Sequence, residues 1–197
     1  IDFTVTVPAE TDTGDNGDNG DNEDNGDDEY ATELFISEYI EGSGYNKAVE
    51  IYNGTGEEVD LSQYEFRLYS NGSTDTEQGY ELSGTLEHGE TYVSVNSQAD
   101  TSLVDIADYT ENYPNAVANY NGDDAIELVK DGTVIDTFGE VGEDPGDDGW
   151  TVDDGSTTDH TLVRKASVRG PSETFDPSEW DVYPADTFDY IGSHTME

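Results

Sequence analysis

The stretch ELFISEYIEGSGYNKAVEIYNGTG, Glu33 to Gly56, decides the fold class. In its first half Leu34, Ile36 and Glu38 alternate with Phe35, Ser37 and Tyr39. In its second half Ala48, Glu50 and Tyr52 alternate with Lys47, Val49, Ile51 and Asn53. A period of two, rich in β-branched and aromatic residues, predicts two half-buried strands. Asn53-Gly54 ends the pair as a turn, because both residues tolerate positive φ.

The same grammar runs on toward the C-terminus. Glu65–Tyr69 reads as a third strand before an Asn71-Gly72 turn. Gly79–Leu86 and Thr91–Val95 follow, separated by His88-Gly89. Leu103–Ala118 is less regular, with room for a short helix or a loop. Ala125–Val129 and Val134–Phe138 flank the hairpin turn Lys130-Asp131-Gly132. Asp144–Asp154 is a long Gly- and Asp-rich loop in which Trp150 is expected to tuck inward. His160–Arg164 and Thr187–Ile191 are the last expected strands. Short strands with turn signals at spacings of roughly 8–12 residues predict an all-β, antiparallel sandwich.

Two segments precede this body. Ile1, Phe3, Val5 and Val7 share one face of a strand that Pro8 ends, since Pro cannot donate to a ladder. Residues 9–30 are an acidic Gly/Asp/Asn-rich linker, with Gly-Asp-Asn repeating from Gly14. It has too little apolar surface to collapse alone. The organisation is therefore an isolated strand (1–8), a linker (9–30) and a sandwich (31–197). A Gly-rich linker of this length has an r.m.s. span of about 25 Å, so the strand can reach its own sandwich or a neighbour's. A chain opening on Ile1 is expected to be processed or cut from a longer one.

The charge is extreme: 48 acids against 6 bases, net −42. Residues 1–30 hold 11 acids and no base, so the remainder carries −31. Such a surface repels phosphate backbones, which argues against direct nucleic-acid binding. It suits salty or calcium-rich surroundings, where screening weakens self-repulsion. With no Cys, disulfides and thiolate metal sites are excluded. No apolar run approaches the ~20 residues of a membrane span.

Four blocks carry a family resemblance. They are the opening stretch with VDLSQYEFRLYSNG; LSGTLEHGETYVSV; NYNGDDAIELVKDGTVIDTFGEVGEDPG; and TTDHTLVRKASVRGP with FDPSEWDVYPADTFDYIGSHT. Together they resemble the lamin-tail domain, in the subtype that accompanies secreted bacterial nucleases and other exported proteins. The resemblance implies an immunoglobulin-like β-sandwich without catalysis of its own, used for anchoring or interaction, and an extracellular or cell-surface location. The nuclease partner's metal-binding residues are missing here, and residues 1–29 are not part of the family's core pattern.

The candidate sites follow from oxygen chemistry. Ca²⁺ prefers hard oxygen ligands, which points to Asp15, Asp18, Asp21, Asp24 and Asp27 in the linker. The every-third spacing does not match an EF-hand loop. Asp123 and Asp124, then Asp144, Asp147 and Asp148, are further loop candidates, as are Asp153, Asp154 and Asp159. His88, His160 and His194 are expected to make structural hydrogen bonds. Lys47, Arg67, Arg164 and Lys165 are expected to form ion pairs. Asn53-Gly54-Thr55 and Asn71-Gly72-Ser73 match the N-glycosylation pattern but read first as turns.

These readings converge on a non-catalytic extracellular structural or interaction module. Its expected partner is another copy, reached through Ile1, Phe3, Val5 and Val7 as a donated strand, or another protein domain. The result would be a surface fibre helped by Ca²⁺. The alternative is an accessory domain of a larger secreted enzyme, a nuclease in the first instance.

Overall fold

The computed structural model describes residues 30–76, 78–111 and 117–197. The strand expected at residues 1–7 and the linker Asp residues lie outside them. In chain order the elements are β1 (Phe35–Glu41), β2 (Lys47–Tyr52), β3 (Val59–Asp60), β4 (Tyr64–Tyr69), β5 (Gln78–Glu81), β6 (Thr85–Leu86), β7 (Thr91–Asn96), α1 (Thr101–Val104), β8 (Tyr109–Glu111), β9 (Ala125–Lys130), β10 (Thr133–Phe138), β11 (Thr151–Val152), β12 (Gly155–Ser156), β13 (His160–Arg164) and β14 (Trp180–Pro184). A six-stranded sheet runs β14-β13-β1-β2-β7-β8, and a four-stranded sheet runs β10-β9-β4-β5. Two ribbons, β11-β12 and β3-β6, complete the set. Pairing is antiparallel apart from β7 with β8. The chain is thus mostly β, as its period-two patterning predicts.

The two larger sheets share one core. Tyr39, Val49 and Ile51 from the first meet Tyr64, Phe66, Leu68, Ile126 and Leu128 from the second. Aromatic stacking organises its centre: Tyr39 lies 4.5 Å from Tyr120 and 4.1 Å from Phe138, ring centroid to ring centroid. Trp180 meets Phe138 edge-on at 5.1 Å. Trp150 packs against the same core, as expected. The β9–β10 hairpin pairs Lys130 with Thr133 across Asp131-Gly132, whose φ values of 48° and 78° suit a two-residue turn matched to strand twist.

Three expectations are corrected. Ile36 and Tyr39 do not face opposite ways; both enter the main core. The register shifts between Ile36 and Glu38, so Ser37 is an extra residue and the alternation reverses there. Nor are β1 and β2 half-buried. Every residue in both is buried, because α1 and the C-terminal segment cover the outer face of their sheet. Thr187–Ile191 is not a strand. The last strand is β14, and the chain after it is a strap laid across that outer face. The expected strand Gly79–Leu86 is divided into β5 and β6.

Candidate interaction surface

The strap is built from what it covers. Phe188 and Ile191 pack on Ile40, Ala48, Val93, Val95 and Leu103. Met196 packs on Ala31, Phe35 and Tyr52. His194 sits between Phe35 and Tyr52, at ring distances of 5.6 and 5.0 Å. Burial and the nearby Arg164 cation hold its imidazole down, to about 4. Backbone bonds finish the attachment: Thr161 Oγ1 donates to Thr187 O at 3.0 Å, and Glu197 N to Ala166 O at 2.7 Å.

Two carboxylates lie on the covered face, and the sequence reading assigned them no role. Glu38 and Glu50 are cross-strand partners, 1% and 0% exposed. Glu50 accepts from Ser37 Oγ at 2.6 Å and from Gly192 N at 2.6 Å. Burial outweighs these bonds and raises its carboxyl to about 7. Both carboxyl oxygens of Glu38 lack a partner. Burial first, then Glu50, raise Glu38 to about 9. Alternation placed Glu38 and Glu50 on strand faces, but the strap that buries them lies more than 130 residues downstream.

A second buried polar site joins the sheets. Asp136 of β10 accepts from Arg164 Nη1, from Ile36 N, both at 2.7 Å, and from Ser172 N at 2.8 Å. Arg164 also donates to Glu179 at 2.5 Å. The ion pairs expected for Lys47, Arg67, Arg164 and Lys165 form with Glu41, Glu65, Asp136 and Asp181. Those of Lys47 and Arg164 are buried rather than superficial.

The loop acids are placed as follows. Asp124 is buried and accepts from Asn71 N at 2.9 Å, tying two loops. Asp123 is 5% exposed with one oxygen unpartnered. Burial raises its carboxyl, with Asp144 and Asp147 adding to the effect. Asp144, Asp147 and Asp148 are exposed, and Asp144 accepts from Gly146 N at 2.8 Å. Among the described residues no three His, Asp or Glu side chains form a group that could hold a metal. His88 accepts from Gly56 N at 3.0 Å and His160 meets Thr158 O at 2.7 Å, both structural contacts. Asn53 is fully buried, its amide donating to Glu57 O and Leu86 O, so its side chain is committed to the fold. Asn71 is exposed in a positive-φ turn with Gly72.

Sheet edges are the remaining feature. β10 is partly covered, since Thr137 N donates to Ser172 O at 2.9 Å. β14 ends on Pro184, which has no donor. β8 has three residues. β5 pairs with β4 on one side and has no strand beyond it among the described residues. A shallow groove follows it, lined by Glu65, Thr76, Gln78, Gly79, Tyr80 and Glu81.

This architecture agrees with the comparison to protein families. The Lamin Tail Domain model matches residues 28–142, more than half of the chain. The chain belongs to the Lamin Tail Domain family. The lamin-tail match runs from the end of the linker through β10, while β11–β14 and the strap lie outside it. A lamin-tail domain is generally a non-catalytic module. No curated protein and no solved structure matched the chain.

Proposed function

We propose that this lamin-tail protein is an extracellular structural module whose copies join by strand donation. Ile1, Phe3, Val5 and Val7 form the apolar face of the donor, and the linker delivers it to β5 of a neighbour. The observation that carries the reading is the open side of β5, which contrasts with the covered or Pro-terminated edges of β10 and β14. An open edge is a template for another chain. A contact between two different surfaces propagates into a fibre at the cell surface when the rotation between copies does not close a ring.

Ca²⁺ is the proposed helper, held by Asp15, Asp18, Asp21, Asp24 and Asp27 of the linker.

Electron microscopy of wild type, a chain lacking residues 1–8, and Phe3→Asp tests the reading, each with Ca²⁺ and with a chelator. Fibres should form only from wild type. Because the chain lacks Cys, Thr4→Cys and Glu81→Cys copies can be mixed, and they should cross-link. Monomers under all conditions would end the donation reading. Fibres indifferent to chelator would end the Ca²⁺ part alone.

The second reading is an accessory domain of a larger secreted enzyme, supported by the resemblance of the sequence blocks to the nuclease-associated subtype. The mass of the native polypeptide distinguishes the two. A species near 21.5 kDa supports the first, and a much larger one with nuclease activity supports the second.

A further inference from the structure

The strap, residues 187–197, contains neither strand nor helix. Three partly buried apolar side chains hold it, those of Phe188, Ile191 and Met196. Hydrogen bonds at Thr187, Gly192 and Glu197 add one tie each near its start, middle and end. The sheets beneath are joined by continuous ladders and by a core in which Trp180, Tyr39 and Tyr64 are fully buried. A segment with so few attachments opens at a lower free-energy cost than the body it covers.

Its seat contains two carboxyls. Glu38 and Glu50 stand opposite each other on the covered face, and neither Glu38 oxygen has a partner. The middle of the strap bonds to the pair, Gly192 N donating to Glu50 Oε2 at 2.6 Å. Tyr190 of the strap packs on Tyr183 of β14 at a ring distance of 4.4 Å, near Glu38. The groups around the pair are hydroxyls and acids: Ser37 of β1, Thr91 of β7, Asp108 before β8, Tyr120 from the core side and Tyr183. The strap adds Asp189, His194 and Glu197, and it has no Lys or Arg. Protonated, the two carboxyls fit under a cover. Ionised, they are like charges directly across a strand pair, away from water. Lifting the strap gives them water without breaking a single ladder bond of β1 or β2.

We propose that the strap is a pH-released cover: when Glu38 and Glu50 ionise, residues 187–197 leave the outer face while both sheets stay folded. Burial raises the two carboxyls from 4.5 to about 9 and about 7, so the seated strap holds protons that the released strap gives up. Seating therefore weakens as pH rises above about 4.5, up to ~10-fold per pH unit for each carboxyl, until Glu50 and then Glu38 ionise in place. His194 acts in the opposite sense. Burial and Arg164 hold it neutral, so it opposes seating only as pH falls below its ordinary value of 6.5. Between about pH 6.5 and about pH 9 the carboxyl pair alone lowers the seated-to-free ratio by up to ~10³-fold.

The Cys-free chain gives a direct test. A nitroxide on Thr195→Cys, an exposed position of the strap, reports its motion by electron paramagnetic resonance. The spectrum should pass from slow to fast motion between about pH 6.5 and about pH 9, a range in which His194 is neutral seated or free. Emission from Trp150 and Trp180, which pack in the main core, should keep its buried wavelength throughout. In Glu38→Gln/Glu50→Gln the label should stay slow over the whole range. Glu38→Gln alone, the milder change, should remove most of the transition above about pH 7, where Glu50 no longer titrates. A wild-type label that stays slow to about pH 9, or is already fast at about pH 6.5, would overturn the proposal. So would tryptophan emission that shifts together with the label, or an unchanged transition in the double variant.

Discussion

Arg164 and Asp136 show how much a single pair can carry. The guanidinium is buried with its carboxylate, and Asp136 also accepts from the backbone of Ile36 and Ser172. Removing the cation leaves a buried charge with only backbone donors. Arg164→Ala should therefore cost about 3–5 kcal/mol in urea unfolding. Glu38 and Glu50 act in the opposite sense. Their carboxyls are raised to about 9 and about 7, above the unfolded value of 4.5. The folded state thus holds more protons than the unfolded state, and stability falls as pH rises from about 5 toward 9. The slope is up to ~1.4 kcal/mol per pH unit for each group. Burial pushes Asp136 the same way, to about 6, against Arg164 and its backbone donors. Glu38→Gln with Glu50→Gln should flatten the profile measured by thermal unfolding at several pH values. Asp108, Tyr120 and Tyr183, ionisable groups near this pair, remain in that variant.

At the scale of elements, the Ser37 bulge and the strap are linked. The bulge turns Ile36 and Tyr39 into the core and leaves Phe35 and Ile40 on the outer face, which then needs a cover. The strap supplies part of it through Phe188, Ile191 and Met196. Ending the chain after Asp186 should cost about 3 kcal/mol, since three partly buried side chains lose their contacts. The truncated protein should bind a hydrophobic dye. Its pH dependence between 5 and 9 should also weaken, because Glu38 and Glu50 then meet water. A truncated chain with unchanged stability would show that the strap merely rests on the sheet.

At the scale of the whole molecule, charge dominates. A net −42 on a chain of 197 residues, −31 of it on residues 31–197, repels itself, and this repulsion is long-range and screened by salt. The melting temperature should climb with added NaCl, with the steepest rise at low concentration where screening changes fastest. A melting temperature indifferent to NaCl would mean that the acids are already neutralised, by bound cations or by protonation.

The sequence alone determined that the chain is mostly strands, where most of them begin and end, and which family they belong to. Those properties are local: a period of two, turn residues such as Asp131-Gly132, and motif blocks that can be read along the chain. It also placed Lys47, Arg67, Arg164 and Lys165 in ion pairs, because rare bases among many acids have few alternatives. Only the tertiary structure decided that Ser37 is a bulge, that β1 and β2 are covered on both faces, and that Glu38 and Glu50 are buried together. The same holds for the groove that brings Thr32 beside Lys165 and Val168, more than 130 residues away. Such features depend on residues distant in sequence meeting across sheets, and no periodicity along the chain records which ones will meet.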